Sequence, residues 1–551
     1  MTENNPYKLE ISLKRVQTFI FEVPRLKAML GANAMIGEAM RNELTDLVGN
    51  RGKSLEWPQH IELEKAKDDP LAMVAEPYRD DPVALYKKGI LARDGGHFIA
   101  VFSSKTAAEN FQKEAEQKLT ELLPGVLFEI KIQPFESAAG QEAENRDRRG
   151  EEEQLLQLPV LQLCLETGVQ PANCEIDKGG KTLPVARSVK QRLDKGKVFY
   201  RKETKDIIGQ IANSLYAPVK KALEEPSDLN GLKDLAAGDY IALIHADGND
   251  IGKRYKKWRD RQKESEKEAA GEAFFYHMRV AVRRAVVTAL EQTFSSDKLQ
   301  PSKVRPYEVL MLGGDDLLLV CRAEKALLFA KHYTKALHDE KNHLIDGENN
   351  TKRRLDVAIG VAIAKHTYPL HRLHELTESL ASSAKRLYRA LEDNDKDSVI
   401  DWQVVTQSWF PDVAAVRRQS ERIRYRAMRL DNGGKSVEET LLLTNRPYRV
   451  TGENSLEQLL ASAEIIKSSD QKDQSEQEKM PRSPLRALRT ACEQGRLTAE
   501  MAYAHLPPKA QKALTGSNPL WKPSSEQSNT YTTRALDVID IAEISRLGSQ
   551  K

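Results

Sequence analysis

The chain has 551 residues, 40% of them apolar, and a formal net charge of only +3. This length predicts several domains with ample cores, and the balanced charge requires any contact with nucleic acid to be local. Four widely spaced cysteines exclude a disulfide framework, and without a long apolar run or a secretion leader we expect a cytoplasmic protein with no membrane partner.

The first glycine pair lies in residues 94–98, Asp-Gly-Gly-His-Phe, and an apolar strand follows it. Residues 106–122 then show helical spacing. Further along, residues 139–154 are highly charged, which is typical of a surface linker. Cys164 and Cys174 come next, but they lack paired C-x-x-C spacing and have no nearby histidine to complete four ligands. Their spacing therefore favours a turn without zinc.

A strand-like run begins at Tyr240 and ends in Asp247-Gly248, where a helix is predicted to start. This pattern places a carboxylate at the end of a strand. A second helix is predicted from apolar residues at helical spacing, namely Phe275, Met278, Val282, Val286 and Leu290.

The most informative feature is the tetrapeptide Gly313-Gly314-Asp315-Asp316, which lies between two apolar runs and predicts a buried hairpin. Its glycines allow a tight turn and the close approach of a ligand. Two carboxylates there would repel each other by roughly 4 kcal/mol at about 4 Å and an intermediate dielectric constant. A bound cation such as Mg²⁺ removes this cost, whereas a solvated turn is the alternative for the motif taken alone.

The elements around these motifs follow the order β-α-β-β-α-β, which predicts a ferredoxin-like fold. A helix over residues 323–338 and a strand over 355–363 complete that order. Asp247 would then lie on a central strand beside the hairpin, so that Asp247, Asp315 and Asp316 converge on one edge. The earlier glycine pair repeats the layout of strand, glycines and helix, with His97 and Phe98 where the acids would be.

Several motifs together resemble one known family. They are His245 to Gly252, Leu312 to Asp316, Ile359 to Ile363 and Ser383-Ala384-Lys385. The segment from about Tyr240 to Trp402 resembles the palm of nucleotidyl cyclases and GGDEF-type proteins. It is more similar to the second palm of the large polymerase-cyclase subunit of type III CRISPR effector complexes. Residues 9–37 are similar to that subunit's first palm. One departure is Asn249-Asp250, where the family often has Asp-Asn.

The resemblance implies that ATP is the substrate and that a cyclic oligoadenylate, or a related adenylyl conjugate, is made when the complex binds target RNA. Other effector subunits, guide RNA and target RNA are the implied partners. Many members of the family add an HD nuclease. The His-Asp pair of this chain, His338-Asp339, lies on a predicted helix, so we expect no DNA-cleaving site and a surface helix pair instead.

The carboxylates give each candidate site residue a role. Asp247 and Asp315 are expected to hold two Mg²⁺ (or Mn²⁺) ions, with Asp316 as a further ligand or an orienting group. The residues expected to bind the nucleotide are Gly248, Gly313 and Gly314, which admit the triphosphate, and Lys385, which neutralises phosphate charge. For Lys385, an ordinary exposed helix lysine is the alternative.

The fold class predicted from these observations is α+β, with two ferredoxin-like palms. We expect a noncatalytic first palm at 1–138, which completes a nucleotide pocket between the palms, and a helical, cysteine-bearing insert at 155–235. A catalytic second palm is expected at 236–408 and a helical carboxy-terminal domain at 409–551.

Within the carboxy-terminal domain, residues 413–430 are predicted as an arginine-rich helix that binds RNA or a partner subunit, or is simply solvated. Residues 467–484 are predicted as a linker, and residues 485–506 as helical. Two alternative functions remain at this point: a noncatalytic scaffold of the effector complex, and a stand-alone GGDEF-like nucleotide cyclase.

Overall fold

The structure is a computed structural model, and it describes residues 5–63, 80–135, 162–199, 231–236, 238–294, 306–346, 351–406, 413–419, 421–428, 436–468, 482–524 and 529–547. None of the helices in these ranges combines the length and the apolar character that a membrane span needs. The linker predicted at 139–154 lies outside the described residues. The α+β class is confirmed, whereas the domain boundaries stay predictions.

The amino-terminal palm is a four-stranded antiparallel sheet covered by helices. Its elements are β1 (Tyr7–Lys14), α1 (Val16–Phe21), α2 (Leu26–Glu38), α3 (Leu44–Val48), α4 (Pro82–Lys87), β2 (Ile90–Ala92), β3 (His97–Phe102), α5 (Lys105–Leu122) and β4 (Leu127–Pro134). The strand order is β2-β3-β1-β4. The Ser104 hydroxyl caps α5 by accepting a hydrogen bond from the Ala107 amide, and the apolar face of α5 packs on the sheet.

The region after the first palm forms a hairpin and a helix, so it is not wholly helical as predicted. Its elements are β5 (Cys174–Lys178), β6 (Lys181–Val185) and α6 (Arg187–Phe199). Helix α6 packs closely on α2 through glycines on both helices. A Cβ atom at Gly31 would lie 1.8 Å from the Arg192 carbonyl oxygen, and a Cβ atom at Gly196 would lie 2.0 Å from the Lys27 carbonyl oxygen. This region is therefore docked on the first palm.

The second palm repeats the first on a larger scale. Its elements are β7 (Tyr240–Gly248), α7 (Ile251–Arg259), α8 (Lys267–Phe294), β8 (Tyr307–Gly313), β9 (Asp316–Arg322), α9 (Ala326–Leu337), β10 (Leu344–Ile345), β11 (Lys352–Arg353), β12 (Val357–Lys365), α10 (Leu370–Ala390) and β13 (Val399–Val404). Strands β8, β9, β7 and β12 are neighbours in that order, which matches β2, β3, β1 and β4 of the first palm. The predicted ferredoxin-like order is confirmed.

The carboxy-terminal part contains both helices and a small sheet. Its elements are α11 (Val413–Gln419), β14 (Arg422–Met428), β15 (Ser436–Leu442), β16 (Tyr448–Arg449), α12 (Leu456–Ser468), α13 (Arg482–Gln494), α14 (Arg496–Ala504), α15 (Pro508–Thr515), β17 (Lys522–Pro523), β18 (Thr530–Thr532) and α16 (Ala535–Arg546). The sheet β14-β15-β18-β17 was not part of the predicted helical domain. Helices α13 and α14 confirm the helices predicted at 485–506.

The prediction of an arginine-rich helix at 413–430 is wrong for the second half of that range. The helix ends at Gln419, and Arg422–Met428 is strand β14, paired with β15. Arg422, Arg424 and Arg426 alternate with other side chains at the period of two that is typical of a strand. Most of the linker predicted at 467–484 lies outside the described residues, although α12 reaches Ser468 and α13 begins at Arg482.

Close packing between α10 and β12 yields a prediction for Gly360. A Cβ atom there would lie 2.1 Å from the Thr377 carbonyl oxygen and 2.6 Å from the Ala381 amide nitrogen, both backbone atoms that cannot move aside. We expect Gly360→Ala to lower the free energy of unfolding by about 3 kcal/mol, measured by urea denaturation. As a control, Gly252→Ala in α7 meets no atom within 4 Å and should be neutral or stabilising by up to about 1 kcal/mol. Equal stability of the two variants would contradict this packing.

Candidate active site

The end of the central strand β7 brings Asp247 beside the β8–β9 hairpin. On one side, Asp247 pairs in register with Ala358 of β12. On the other side, the last registered pair of β7 and β9 is Ala246 with Leu317. One further step along these antiparallel strands places Asp247 opposite Asp316. The two carboxylates thus start from the same face of the sheet.

A two-residue turn at the tip of the hairpin carries the third carboxylate. Gly313 pairs with Asp316, so Gly314 and Asp315 form the turn. Gly314 has φ 60° at the first turn position, where a type II′ turn favours glycine. By contrast, a Cβ atom at Gly313 would meet nothing within 4 Å, so the fold itself does not require glycine at that position.

Gly248 allows Asp315 to lie directly against the end of β7. A Cβ atom at Gly248 would be 2.8 Å from both the Cβ and the Oδ2 atoms of Asp315. Those are distances at which atoms must shift. The backbone amide of Gly248 also hydrogen-bonds the Asp315 carboxylate, which lowers the pKa of that group. Any side chain at position 248 would therefore push the carboxylate away from Asp247.

A cavity of about 490 Å³ opens beside these residues, within the size range of small-molecule sites. Its walls come from the end of β7, the start of α7, the hairpin turn and the carboxy-terminal half of α10. The lining residues are Asp247, Gly248, Asn249, Asp250, Ile251, Gly252, Lys253, Asp315, Lys385, Tyr388 and Arg389. Two of the three predicted aspartates thus line one cavity with Lys385, and Asp316 lies just outside it.

Lys385 on α10 is half-buried, and its ammonium group contacts the Asp247 carboxylate. The alternative of an ordinary exposed helix lysine is therefore wrong. The charge of Lys385 partly offsets the repulsion between the acids, since it lowers the pKa values of both Asp315 and Asp316.

The electrostatic balance at the hairpin is nevertheless unfavourable for charged carboxylates. Burial and then the charge of Asp247 raise the pKa of Asp315 to about 6. Burial and then the charges of Asp247 and Asp315 raise the pKa of Asp316 to about 7. Such a set of hard oxygen donors with excess negative charge suits Mg²⁺ or Mn²⁺.

The equivalent positions of the first palm hold a different pair of side chains. In the first palm, Ser12 of β1 pairs in register with His97 of β3. This pair corresponds to Asp247 and Asp316 of the second palm, which lie opposite each other one residue beyond the last registered pair. The Ser12 hydroxyl and His97 Nδ1 lie 3.0 Å apart and share a hydrogen bond. His97 therefore stands where an acid would be, as predicted, but Phe98 does not.

The correction at Phe98 is a shift of one residue. Phe98 pairs with Ile11 and is fully buried, as is Leu317 at the corresponding step of the second palm. Gly96, whose carbonyl oxygen accepts a hydrogen bond from the Leu13 amide, occupies the position that Asp315 occupies in the second palm. The sequence prediction aligned the first glycine pair with Gly313-Gly314. In the structure, the turn of the first palm is formed by Gly95 and Gly96 and that of the second by Gly314 and Asp315, so the alignment is offset by one residue. The noncatalytic first palm stays a prediction.

Two buried histidines, His245 and His374, were given no role at the site by the sequence analysis, and His245 lies beside the aspartates. His245 is 6% exposed on β7, and its Nε2 atom is 3.9 Å from Asp316 Oδ1. Burial lowers the pKa values of both histidines. The ring of His374 on α10 stacks on Phe21 of the first palm, with centroids 4.0 Å apart. The period of two along a strand could have revealed His245, since it shares a face with Asp247.

The predicted His338-Asp339 pair does not act as a pair. The Asp339 carboxylate accepts a hydrogen bond from the Lys341 amide. His338 is half-buried rather than on the surface, and its Nε2 atom lies 3.0 Å from Asp356 Oδ1. Within the described ranges, His338, Asp356 and Asp397 are the one trio whose potential ligand atoms all lie within 4.8 Å of one another.

That trio is already well supplied with hydrogen bonds. Asp397 accepts hydrogen bonds from the Ser398 amide and from both the amide and the hydroxyl of Thr451. The Arg354 guanidinium lies 3.2 Å from Asp356. These contacts account for the cluster without a metal ion.

Comparison with known protein families gives a sequence match to the second of the chain's two palms. Residues 240–399 match the family model described as Cas10/Cmr2, second palm domain. This match confirms the resemblance that the motifs predicted. No curated protein sequence matches the chain.

Among solved structures, the chain is similar to a Csm1-Csm4 cassette in complex with AMPPNP, with 12% identity and a TM-score of 0.49 over 100% of this chain and 70% of that chain. The cassette in complex with pppApApA gives 12% identity and a TM-score of 0.49 over 99% and 70%. Csm1 in T. onnurineus gives 13% identity and a TM-score of 0.39 over 92% and 68%.

The raised pKa values of Asp315 and Asp316 predict how stability depends on pH. In the metal-free protein, the folded state keeps protons that the unfolded chain releases near the ordinary value of 3.8. The free energy of unfolding should therefore fall as pH rises from about 4 through the folded-state values of about 6 and about 7. Urea denaturation in EDTA at several pH values measures this slope.

The matched variant is Asp315→Asn with Asp316→Asn, which should show a shallower fall over the same pH range. At pH values above the folded-state pKa values, saturating Mg²⁺ should raise the free energy of unfolding of the original chain, because the cation binds only the folded site. Parallel pH slopes for both proteins would show that folding does not raise the pKa values of these two carboxylates.

Proposed function

With residues 240–399 identified as the second palm domain of the Cas10/Cmr2 family, the large subunit of type III CRISPR effector complexes, we propose that this chain converts ATP into a cyclic oligoadenylate. A related adenylyl conjugate is the other product of the same chemistry. The observation that carries the proposal is the meeting of Asp247, Asp315 and Lys385 in one cavity, with Asp316 beside it.

The cavity has the charges that a nucleoside triphosphate needs. Lys253, Lys385 and Arg389 supply positive charge along its wall. The amino-terminal end of α7, from Ile251, also lines the cavity, and the backbone amides of a first helical turn, with the helix dipole, favour a phosphate group. A nucleotide could thus bind through its phosphates while its ribose lies near the acids.

The acids fit divalent cations, and we assign the ligands as Asp247 and Asp315, with Asp316 as a further ligand. Bound Mg²⁺ or Mn²⁺ would lower the pKa of a ribose hydroxyl and neutralise charge on the leaving pyrophosphate. Lys385 would exchange its contact with Asp247 for a phosphate oxygen. Gly248, Gly313 and Gly314 leave the backbone open to the triphosphate.

The reaction joins two nucleotides. A ribose hydroxyl oxygen of one nucleotide forms a bond to the α-phosphorus of another, and the bond from that phosphorus to pyrophosphate breaks. The hydroxyl proton leaves to a carboxylate or to water, and the new linkage is a phosphodiester. Closure of the last linkage onto the first nucleotide gives a ring.

We place this reaction in an effector complex, with other type III subunits, guide RNA and target RNA as partners. A noncatalytic scaffold would have no use for acids that repel one another in the second palm. A stand-alone GGDEF-like cyclase would carry Glu after the first Asp of the motif, whereas this chain has Asp316. These two alternatives become outcomes of the following test.

We expect Asp315→Asn with Asp316→Asn to reduce product formation by at least about 100-fold, because the cation ligands are lost while the side-chain volume is kept. Product is measured by mass spectrometry after incubation with ATP or GTP, for the chain alone and for the complex with guide and target RNA. Asp393→Asn with Asp395→Asn removes the same two charges at side chains that are 93% and 64% exposed in the same palm, and should leave turnover unchanged.

Three results would overturn parts of the proposal. No product from the original complex with RNA would indicate a scaffold. Equal product without RNA or partners would indicate a stand-alone cyclase. Full activity of the doubly substituted hairpin would remove Asp315 and Asp316 from the mechanism.

A further inference from the structure

One buried side chain beside the proposed active site lacks the hydrogen bonds that its chemistry calls for. His245 is 6% exposed, and neither of its ring nitrogens has a hydrogen-bond partner among the described residues. Both nitrogen atoms are also shielded from solvent, so water does not replace the missing partners. Unsatisfied polar atoms in a protein interior cost free energy, and each one calls for an explanation.

The sheet geometry directs His245 at Asp316. His245 and Asp247 are two residues apart on β7, so their side chains leave the same face. His245 pairs directly with Leu318, and Asp316 lies opposite Asp247 one residue beyond the last registered pair. Asp316 is therefore the diagonal neighbour of His245. The Nε2 atom of His245 lies 3.9 Å from Asp316 Oδ1. This separation is about 1 Å longer than an N–H···O hydrogen bond.

The two side chains differ in their freedom to move. His245 pairs in register with Gly360, where α10 comes so close to the sheet that a Cβ atom would meet the Thr377 backbone. The imidazole is therefore held between the sheet and α10. The Asp316 side chain is 39% exposed and starts at the end of β9, so its carboxylate can turn. The gap of 3.9 Å to His245 is one that a change in the Asp316 side-chain torsion angles would close.

We propose that His245 is a positioning residue, whose Nε2–H donates a hydrogen bond to Asp316 Oδ1 and fixes that carboxylate for cation binding. The inference rests on the proposed function, because it assumes that Asp316 is a cation ligand. It explains why a polar ring occupies a buried place on the central strand. Hydrogen bonds that orient a ligand typically change metal affinity or activity by about 10-fold to 100-fold.

The test is the affinity of the full chain for Mn²⁺, measured by electron paramagnetic resonance without nucleotide. His245→Leu removes the donor at similar volume and should weaken Mn²⁺ binding by about tenfold or more. His245→Gln restores a donor close to the position of Nε2 and should recover most of the affinity. Thermal denaturation should show His245→Leu to be at least as stable as the original chain, since two orphaned nitrogens are removed.

The matched control is His374→Leu. His374 is 5% exposed, its Nε2 also lacks a hydrogen bond among the described residues, and it packs on Phe21 rather than beside Asp316. This variant should bind Mn²⁺ as the original chain does. If His245→Leu does not fold, His245→Met replaces it in the same comparison.

A double substitution separates positioning from a general packing effect. In a chain that already carries Asp316→Asn, His245→Leu should cause no further loss of Mn²⁺ affinity. Unchanged affinity of the single His245→Leu variant, or an equal loss for His374→Leu, would overturn the inference. Failure of the proposed function is distinguishable, because it would appear as Mn²⁺ binding by the original chain without nucleotide turnover in the original complex with guide and target RNA.

Discussion

Repulsion between carboxylates is the constraint around which the second palm is arranged. Strand register alone brings Asp247 and Asp316 together, and the turn at Gly314 adds Asp315. The surrounding strands supply the stability to hold these charges, since the residues from Leu317 to Cys321 of β9 are fully buried. Burial and this repulsion together raise the pKa values of both hairpin acids, and Lys385 compensates only in part. A divalent cation is the simplest group that completes this balance.

The two palms show how one fold can be used with and without this charge. They share a strand order, but Ser12 and His97 form a hydrogen bond where the second palm has two aspartates. The palms also contact each other near their hairpins. The side-chain amide of Asn33 on α2 donates to the Leu310 carbonyl oxygen of β8 at 3.0 Å, and Arg279 on α8 lies 3.3 Å from Asp94 of the first hairpin.

Much of this could be predicted from the sequence, because strand period and turn chemistry are local. Glycines at a hairpin tip and apolar runs on both sides sufficed to place the acids together. The partner of Lys385 could not be predicted, because it depends on how closely α10 approaches the sheet at Gly360. The arginines at 422–426 were assigned to a helix although their alternation has the period of a strand, since their density outweighed their spacing. His245 opens one of the motifs but was given no role, because its burial and its missing hydrogen bonds are visible only in the structure.

The central claim is that Asp247 and Asp315 hold divalent cations beneath a nucleoside triphosphate. Anomalous diffraction from crystals of the chain grown with Mn²⁺ and a nonhydrolysable ATP analogue tests it most directly. The account predicts Mn²⁺ peaks at about 2.2 Å from carboxylate oxygens of Asp247 and Asp315, within the cavity that Lys385 also lines. A bound triphosphate with Mn²⁺ peaks only elsewhere, for example between Asp356 and Asp397, would contradict it.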